Sequence, residues 1–187
     1  MKAAQLVMGP GKAHIYLAGA GKSSYSNAII AHSKRQMHLV NLDPANTQFN
    51  TQPTIDIAEL CSLQDAMEGC ALGPNGGLIW CLEYLLTNED WFREQLENYE
   101  DDYLGKFYRI VSCVHMYESN VSIYYLTTVI DLPGQIELYS HSTIVPRLVS
   151  LLHSMDYRVV GVYLMDCQFV CQTEKFFQVT NSQLKLL

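Results

Sequence analysis

The sequence predicts an α/β fold in which a mainly parallel sheet is flanked by helices. Short apolar runs typical of strands alternate along the chain with segments of helical periodicity. One run, Val159–Met165, is uninterrupted, as in a central parallel strand that is buried on both faces. The sequence has no internal repeat and no low-complexity linker, so we expect a single domain over residues 1–187.

The first elements are defined by turn residues that follow apolar runs. Ala4–Met8 is apolar and ends at Gly9-Pro10, which indicates a buried strand and a turn. Helical spacing follows from Lys22 to Arg35. A second strand, His38–Leu42, is stopped by Asp43-Pro44.

The rest of the chain alternates in the same way. The further predicted helices are Ile55–Glu68, Gly76–Leu86, Trp91–Tyr99 and Thr143–Met155. Val121–Ile130 is rich in β-branched and aromatic residues and precedes a turn at Asp131. Because the chain ends at Leu187, soon after the Val159–Met165 strand, we expect the C-terminal part of the fold to be missing and the sheet to have an open edge.

Charge and hydropathy exclude some classes of protein. The net charge is −7, from 12 basic and 19 acidic residues, and the basic residues form no cluster. Direct binding to a nucleic acid needs a basic surface, so this composition argues against it. The apolar runs are too short for a membrane span and the N-terminus is too short for a signal peptide, so we expect a soluble intracellular protein.

The cysteines and histidines show no metal-binding spacing. Six cysteines are scattered without a CxxC pair, and the histidines form no HExxH motif. We therefore expect reduced thiols that pack as small hydrophobic residues.

Gly19-Ala20-Gly21-Lys22-Ser23-Ser24, followed by a helix, has the chemistry of a phosphate-binding loop. Glycines let backbone N–H groups approach phosphate oxygens, and a helix N-terminus adds positive partial charge. Lys22 would reach the β and γ phosphates, and the Ser23 hydroxyl would ligate Mg²⁺. The full pattern places a glycine where Tyr16 stands, so the segment by itself also fits an ordinary glycine turn.

Two other segments have both a functional and an ordinary interpretation. In Val129–Gln135, Asp131 would hold Mg²⁺, the Gly134 N–H could sense the γ-phosphate and Gln135 could orient water. The alternative is a strand that ends in a common turn. Gly73-Pro74-Asn75-Gly76-Gly77 by composition is a glycine-rich turn that caps a helix starting at Gly76.

Five motifs taken in order resemble the GPN-loop GTPases, a family with the P-loop NTPase fold, and the resemblance covers most of the chain. They match the family's first strand, the remainder of its phosphate loop, switch I, the signature insertion and switch II. The corresponding segments are Ala4–Pro10, Ala18–Tyr25, Asn41–Ala45, Gly73–Asn75 and Asp131–Tyr139.

The resemblance implies that the protein hydrolyses GTP with Mg²⁺ in a pseudo-symmetric dimer. By that resemblance, Asn75 would reach the phosphates of the partner's nucleotide, and Asp43 would position or activate the attacking water with help from Gln135. Ser23 and Asp131 would hold the metal ion. The Asn75 side chain, supplied in trans, would stabilise charge on the transferred phosphoryl group.

Within the family, Glu100–Tyr103 and the stretch from Phe169 to Phe177 are most similar to the third eukaryotic paralogue, with the second as the alternative. That resemblance implies a heterodimer with the first paralogue and a role in the assembly and nuclear import of RNA polymerase II. The expected partners are then the paralogue and polymerase subunits, and the expected location is the cytoplasm with shuttling to the nucleus.

Two inserts depart from the family pattern, Gly11–Leu17 within the phosphate loop and Gly105–Thr128 ahead of switch II. Both inserts begin with Gly-Lys. The codons that encode Gly-Lys can match the bases of a common intron 5′ boundary. Either the inserts are two unspliced introns translated in frame or they are lineage-specific loops. A spliced transcript would distinguish these alternatives.

Three functions remain open at this point. The first is GTP hydrolysis in an assembly factor. The second is a non-hydrolysing interaction subunit of the same fold, which an opened phosphate loop favours. The third is a related P-loop ATPase or nucleic-acid kinase, because the chain stops before the family's guanine-reading motif.

Overall fold

The computed structural model describes residues 2–8, 21–32, 37–47, 49–98, 127–134 and 142–164, with residues 2–8 described by their backbone alone. It confirms the α/β fold with helices flanking a parallel sheet. The strands are β1 (Lys2–Met8), β2 (Met37–Asn41), β3 (Ile55–Asp56), β4 (Thr127–Asp131) and β5 (Tyr157–Tyr163). The helices are α1 (Lys22–His32), α2 (Leu63–Cys70), α3 (Pro74–Thr87), α4 (89–98) and α5 (Ile144–Ser154), with a 3₁₀ turn at Ile57–Glu59.

The five described strands form one sheet in the order β3-β2-β4-β1-β5, and all the pairings are parallel. Val7 of β1 pairs with Asp131 of β4, which in turn pairs with Asn41 of β2. Because parallel strands point the same way, their carboxyl ends meet at one edge of the sheet. Ligands of open α/β sheets bind outside that edge.

Alternate residues of β2 and β4 pack against opposite layers of helices, as the two-residue period of a strand requires. Leu39 and Val129 are buried against Tyr25 and Ile29 of α1. Val40 and Ile130 belong to the larger cluster on the other face. Residues of α3, α4 and α5 complete that cluster, among them Leu82, Leu85, Phe92, Leu96, Leu148 and Leu152.

Helices α2 and α3 pack closely because a glycine lies between them. A Cβ atom on Gly77 would lie 2.8 Å from Cδ1 of Leu63 and 3.1 Å from Cγ of Met67. A Cβ atom on the neighbouring Gly76 would meet Leu72 only at an ordinary 3.5 Å. Gly77 therefore sets the distance between the two helices.

The prediction of a helix over Ile55–Glu68 is wrong for the first half of that range. Ile55 and Asp56 are instead the strand β3, paired with Val40 and Asn41 of β2. The backbone thereby satisfies its hydrogen bonds in the sheet, and α2 begins only after Ser62 caps it. The Ser62 hydroxyl accepts a hydrogen bond from the Asp65 N–H at 3.0 Å, which fixes the start of the helix.

Two other expectations are corrected. Helix α3 begins at Pro74 rather than Gly76, because proline is favoured in the first helical position and Gly73 serves as the N-cap. Strand β5, expected in the centre of the sheet, is its edge among the described residues. Val160 in β5 is 54% exposed, so its apolar run is not buried on both faces in the described part of the chain.

Helix α3 carries a stacked aromatic pair one turn apart. The rings of Trp80 and Tyr84 lie 4.9 Å apart, with 10° between their planes. Tyr84 is 38% exposed, so the pair lies at the surface of the described part of the molecule.

Cys61 and Cys81 lie side by side where α3 passes the start of α2, and both are free thiols. The Cys61 thiol donates to the carbonyl of Cys81, and the Cys81 thiol donates to the carbonyl of Ser62, each at 3.8 Å. Burial is the main cause that raises the pKa of Cys61 to about 12, and it also raises the pKa of Cys81. These two thiols match the expectation of reduced, packed cysteines.

In the described ranges, the helices are all too short or too polar to cross a membrane.

Candidate nucleotide site at the carboxyl edge of the sheet

The start of α1 has the backbone geometry that a phosphate loop needs. Gly21, the residue before the helix, has φ +84°, a conformation that residues with a side chain rarely adopt. Its carbonyl accepts the N–H of Tyr25 at 2.8 Å, so it leads directly into the first turn. Lys22 and Ser23 then occupy the first positions of α1, where backbone N–H groups point away from the helix.

The other members of the predicted phosphate loop are only partly described. Ser24 is exposed in the first turn of α1. Gly19 and Ala20 lie outside the described residues, as does Gln135 after β4.

Asp43 lies in a tight turn immediately after β2. Its carboxylate accepts the N–H of Ala45 at 3.1 Å, and its carbonyl accepts the N–H of Asn46 at 2.9 Å. Burial raises the pKa of the Asp43 carboxyl, while the Ala45 N–H and the positive charge of Lys22 act in the opposite direction. The positive charge of Lys22 is therefore near enough to the Asp43 carboxyl to act on its pKa.

Asp131 ends β4 beside that turn and is 1% exposed. Its backbone carbonyl accepts the N–H of Leu42 at 2.9 Å, which joins the two strand ends. The side-chain amide of Asn46 donates to the Asp131 carboxylate at 3.4 Å. A buried carboxylate at this edge is therefore held against the Asp43 turn.

The donor atoms at this edge fit a magnesium ion that is shared with phosphates. Mg²⁺ in nucleotide sites keeps several waters and takes one or two protein oxygen ligands besides the phosphates. The Asp131 carboxylate supplies one such oxygen, and Ser23 stands in the first turn of α1. The described residues hold no group of three or more His, Cys, Asp or Glu residues that could bind a metal by themselves.

Asn75 lies away from these side chains at the start of another helix. Gly73, Pro74 and Asn75 are all exposed, and the Gly73 carbonyl accepts the N–H of Gly77 at 2.8 Å. The capping turn predicted from composition is therefore present, without a side-chain cap. An exposed triplet at a helix N-terminus is also open to a second molecule.

The structure thus brings Lys22, Asp43 and Asp131 to one edge of the sheet and leaves Asn75 outside that group. It also reveals three polar residues that the motif analysis did not single out: Asn41, Asn46 and Asp56. Asn41 and Asn46 flank the Asp43-Pro44-Ala45 turn, so a polar residue at a strand end was the available signal. Asp56 was assigned to a helix, which hid its position beside Asn41.

Together, the parallel sheet and the polar groups at its carboxyl edge define the class of α/β nucleotide-binding proteins. A family model described as "Conserved hypothetical ATP binding protein" matches residues 16–105 and 110–187. The chain belongs to this family and is a homologue of the GPN-loop GTPases.

Curated relatives carry the same resemblance. The chain is 44% identical to GPN-loop GTPase 3 of Mycosarcoma maydis over 178 residues, which cover 93% of this chain and 52% of that protein. It is 39% identical to GPN-loop GTPase 3 of Saccharomyces cerevisiae over 186 residues, 97% of this chain and 57% of that one. The chain therefore spans about half the length of these relatives.

The fold is also found among solved structures. A GTPase from Pyrococcus abyssi, crystallised in its apo form, matches with a TM-score of 0.59 and 19% sequence identity. The match covers 98% of this chain and 63% of that one.

Proposed function

We propose that the protein binds and hydrolyses GTP, as a GPN-loop GTPase that works in a dimer. The observation that carries this proposal is the arrangement at one sheet edge: Lys22 at the start of α1 faces Asp43, and Asp131 lies beside the same turn. The names of the relatives support GTP as the nucleotide.

Each residue then has a defined task. Gly21 and the N–H groups of the first turn of α1 bind phosphate oxygens, and the Lys22 ammonium neutralises the β and γ phosphates. Gly19, Ala20 and Ser24 complete that loop. Asp43 orients or deprotonates the attacking water, assisted by Gln135, and its partly buried position holds a proton more readily than an exposed aspartate would.

Mg²⁺ would be held by Ser23 and Asp131. When bound, the ion neutralises charge on the β and γ phosphate oxygens. The buried Asp131 carboxylate is oriented by the Asn46 amide.

In the proposed dimer, each subunit supplies a polar group to the nucleotide site of its partner. Asn75 is exposed at the N-terminus of α3, so we assign it to the phosphates of a partner's nucleotide. We further propose that the partner is the first paralogue, that the pair assists assembly and nuclear import of RNA polymerase II, and that the protein resides in the cytoplasm and shuttles to the nucleus. The similarity to GPN-loop GTPase 3 supports this finer assignment.

A non-hydrolysing interaction subunit is the second candidate. The observation that favours it is the Gly11–Leu17 insert, which separates Pro10 from the remainder of the phosphate loop. Such a subunit would retain the fold and the pairing surface while binding nucleotide weakly.

Nucleotide titration of the full chain tests the proposal. GTP with Mg²⁺ should bind with a micromolar or tighter Kd, and Lys22→Ala should weaken it by at least about 100-fold, because a fixed cation facing the phosphates is lost. Arg93→Ala is the matched control, since Arg93 bonds Ser154 on the opposite layer of helices and should leave affinity unchanged. Equal affinity for wild type and Lys22→Ala would contradict the phosphate site, and tight binding without turnover would favour the second candidate.

A further inference from the structure

Asn41 is one of two fully buried polar side chains next to the Asp43 turn, the other being Asp131. Asn41 is the last residue of β2 and is 1% exposed. Burying an amide without hydrogen bonds costs several kcal/mol, so a buried asparagine is retained only where its donors and acceptor are used.

All the polar groups of the Asn41 side chain are used, and they join three segments. Its Oδ1 accepts the N–H of Asp43 at 3.1 Å. Its Nδ2 donates to Oδ1 of Asp56 at 3.0 Å and to the carbonyl of Asn46 at 3.3 Å. The amide therefore holds both the beginning and the end of the Asp43–Asn46 turn and ties that turn to β3.

The turn is held from the other side as well. Asn46 donates its side-chain amide to Asp131, and the Asp43 carboxylate is fixed by the Ala45 N–H within the turn. The orientation of the Asp43 carboxylate thus depends on a backbone that Asn41 holds in place. Lys22 of α1 acts on the Asp43 carboxyl through its charge, and the carboxylates of Asp56 in β3 and Asp131 in β4 accept hydrogen bonds from Asn41 and Asn46 at the two ends of the turn.

We propose that Asn41 is a positioning residue for Asp43, which presets the turn that carries the catalytic carboxylate before nucleotide arrives. This inference rests on the proposed GTPase function, because Asp43 has a catalytic task only there. Positioning errors of about 1 Å are known to reduce rates by about 100-fold, so the residue should influence kcat far more than affinity.

The decisive variant is Asn41→Asp, which keeps the volume but turns the donor into a carboxylate facing Asp56. We expect kcat for GTP to fall by about 100-fold while the Kd for GTP changes by less than about threefold. Adding Asp56→Asn puts the amide at position 56 and leaves the carboxylate at position 41, so the two side chains can again form a hydrogen bond. The double variant should regain about tenfold of the lost rate.

Asn88→Asp is the control, because Asn88 uses its side-chain amide at the C-terminus of α3, where it bonds to the Tyr84 carbonyl. It should leave kcat unchanged. A folded Asn41→Asp chain with the wild-type kcat would overturn the proposal. So would a double variant that regains thermal stability without regaining rate.

A second measurement uses the wild-type chain without nucleotide, so it does not depend on whether a variant folds. In the wild-type chain, the Asp43 N–H is donated to a buried acceptor, so its hydrogen exchange should be at least about 100-fold slower than that of an exposed loop amide. Exchange at the rate of an open loop would overturn the positioning role. A protected Asp43 amide in a chain that hydrolyses no GTP would instead contradict the proposed function and leave the preset turn standing.

Discussion

At the scale of single residues, the two polar side chains buried at the ends of β2 and β4 are the clearest sign of a functional site. Asn41 and Asp131 are each 1% exposed. An apolar residue in either place would avoid the desolvation cost of an amide or a carboxylate, so stability alone does not explain them. Their contacts converge on the turn that carries Asp43.

The buried thiols give a prediction at the same scale. With a pKa of about 12, only about one Cys61 thiol in ten thousand is ionised at pH 8. The thiolate is the form that alkylating agents attack, so iodoacetamide at pH 8 should modify the exposed Cys70 well before Cys61. Peptide mass spectrometry over a time course measures the two rates.

The matched control is the same reaction in guanidinium chloride, where both thiols lose their surroundings and should react alike. Equal rates in the folded chain would show that Cys61 is not held between α3 and the start of α2.

At the scale of elements, the α2–α3 pair is held together at Gly77. Gly77→Ala places a Cβ atom 2.8 Å from Leu63, whereas Gly76→Ala meets Leu72 at 3.5 Å. Both substitutions gain helix propensity, of about 1 kcal/mol, but only the first must displace the Leu63 and Met67 side chains of the neighbouring helix. We expect Gly77→Ala to unfold with a free energy about 1–3 kcal/mol lower than Gly76→Ala.

Urea denaturation of the two variants and the wild type measures this difference. If Gly77→Ala proves as stable as Gly76→Ala, the two helices are free to separate, and the close approach does not constrain α3.

The limits of sequence reasoning also lie at the level of elements. β1 and β2 were predicted because apolar runs end at glycine, proline or aspartate, and α1 was predicted from its helical spacing, all of which are local signals. Asp56 was missed because its neighbours have helical spacing, and only pairing with a distant strand makes Ile55–Asp56 extended. Lys22, Asp43 and Asp131, by contrast, were recognised by their residue types and their order along the chain. The Asn41 bridge depends on the register of β2 against β3, which no local pattern encodes.

Strand β4 adds a constraint on the second insert. Thr127 and Thr128 fall within that insert, yet they belong to β4 and pair with Ala3 and Ala4 of β1. A chain that joined Leu104 directly to Val129 would have to fill these two strand positions with Tyr103 and Leu104.

At the scale of the whole molecule, the proposed role of the exposed Asn75 depends on a partner subunit. If Asn75 serves the opposite site, Asn75→Ala should leave GTP binding normal and slow hydrolysis about 100-fold at the partner's site of the dimer, because that site loses one preorganised donor in the transition state. Single-turnover hydrolysis with the proposed paralogue measures this.

Defined mixed dimers distinguish action in trans from action in cis. With the partner's own site inactivated, Asn75→Ala should leave the remaining turnover in this chain unchanged. A loss of turnover there would place Asn75 in its own site, and a normal rate in every dimer would leave Gly73–Asn75 as a helix cap.

The aromatic stack on α3 gives this helix an intrinsic fluorescent probe. Trp80 lies five residues after Asn75, about 8 Å along the helix axis, and is stacked on Tyr84. The chain has only two tryptophans, so replacing Trp91 with phenylalanine leaves a single tryptophan, Trp80. Its fluorescence then reports the polarity around the first turns of α3, and a spectral shift on mixing with another protein records contact at this end of the helix in real time, without an added dye.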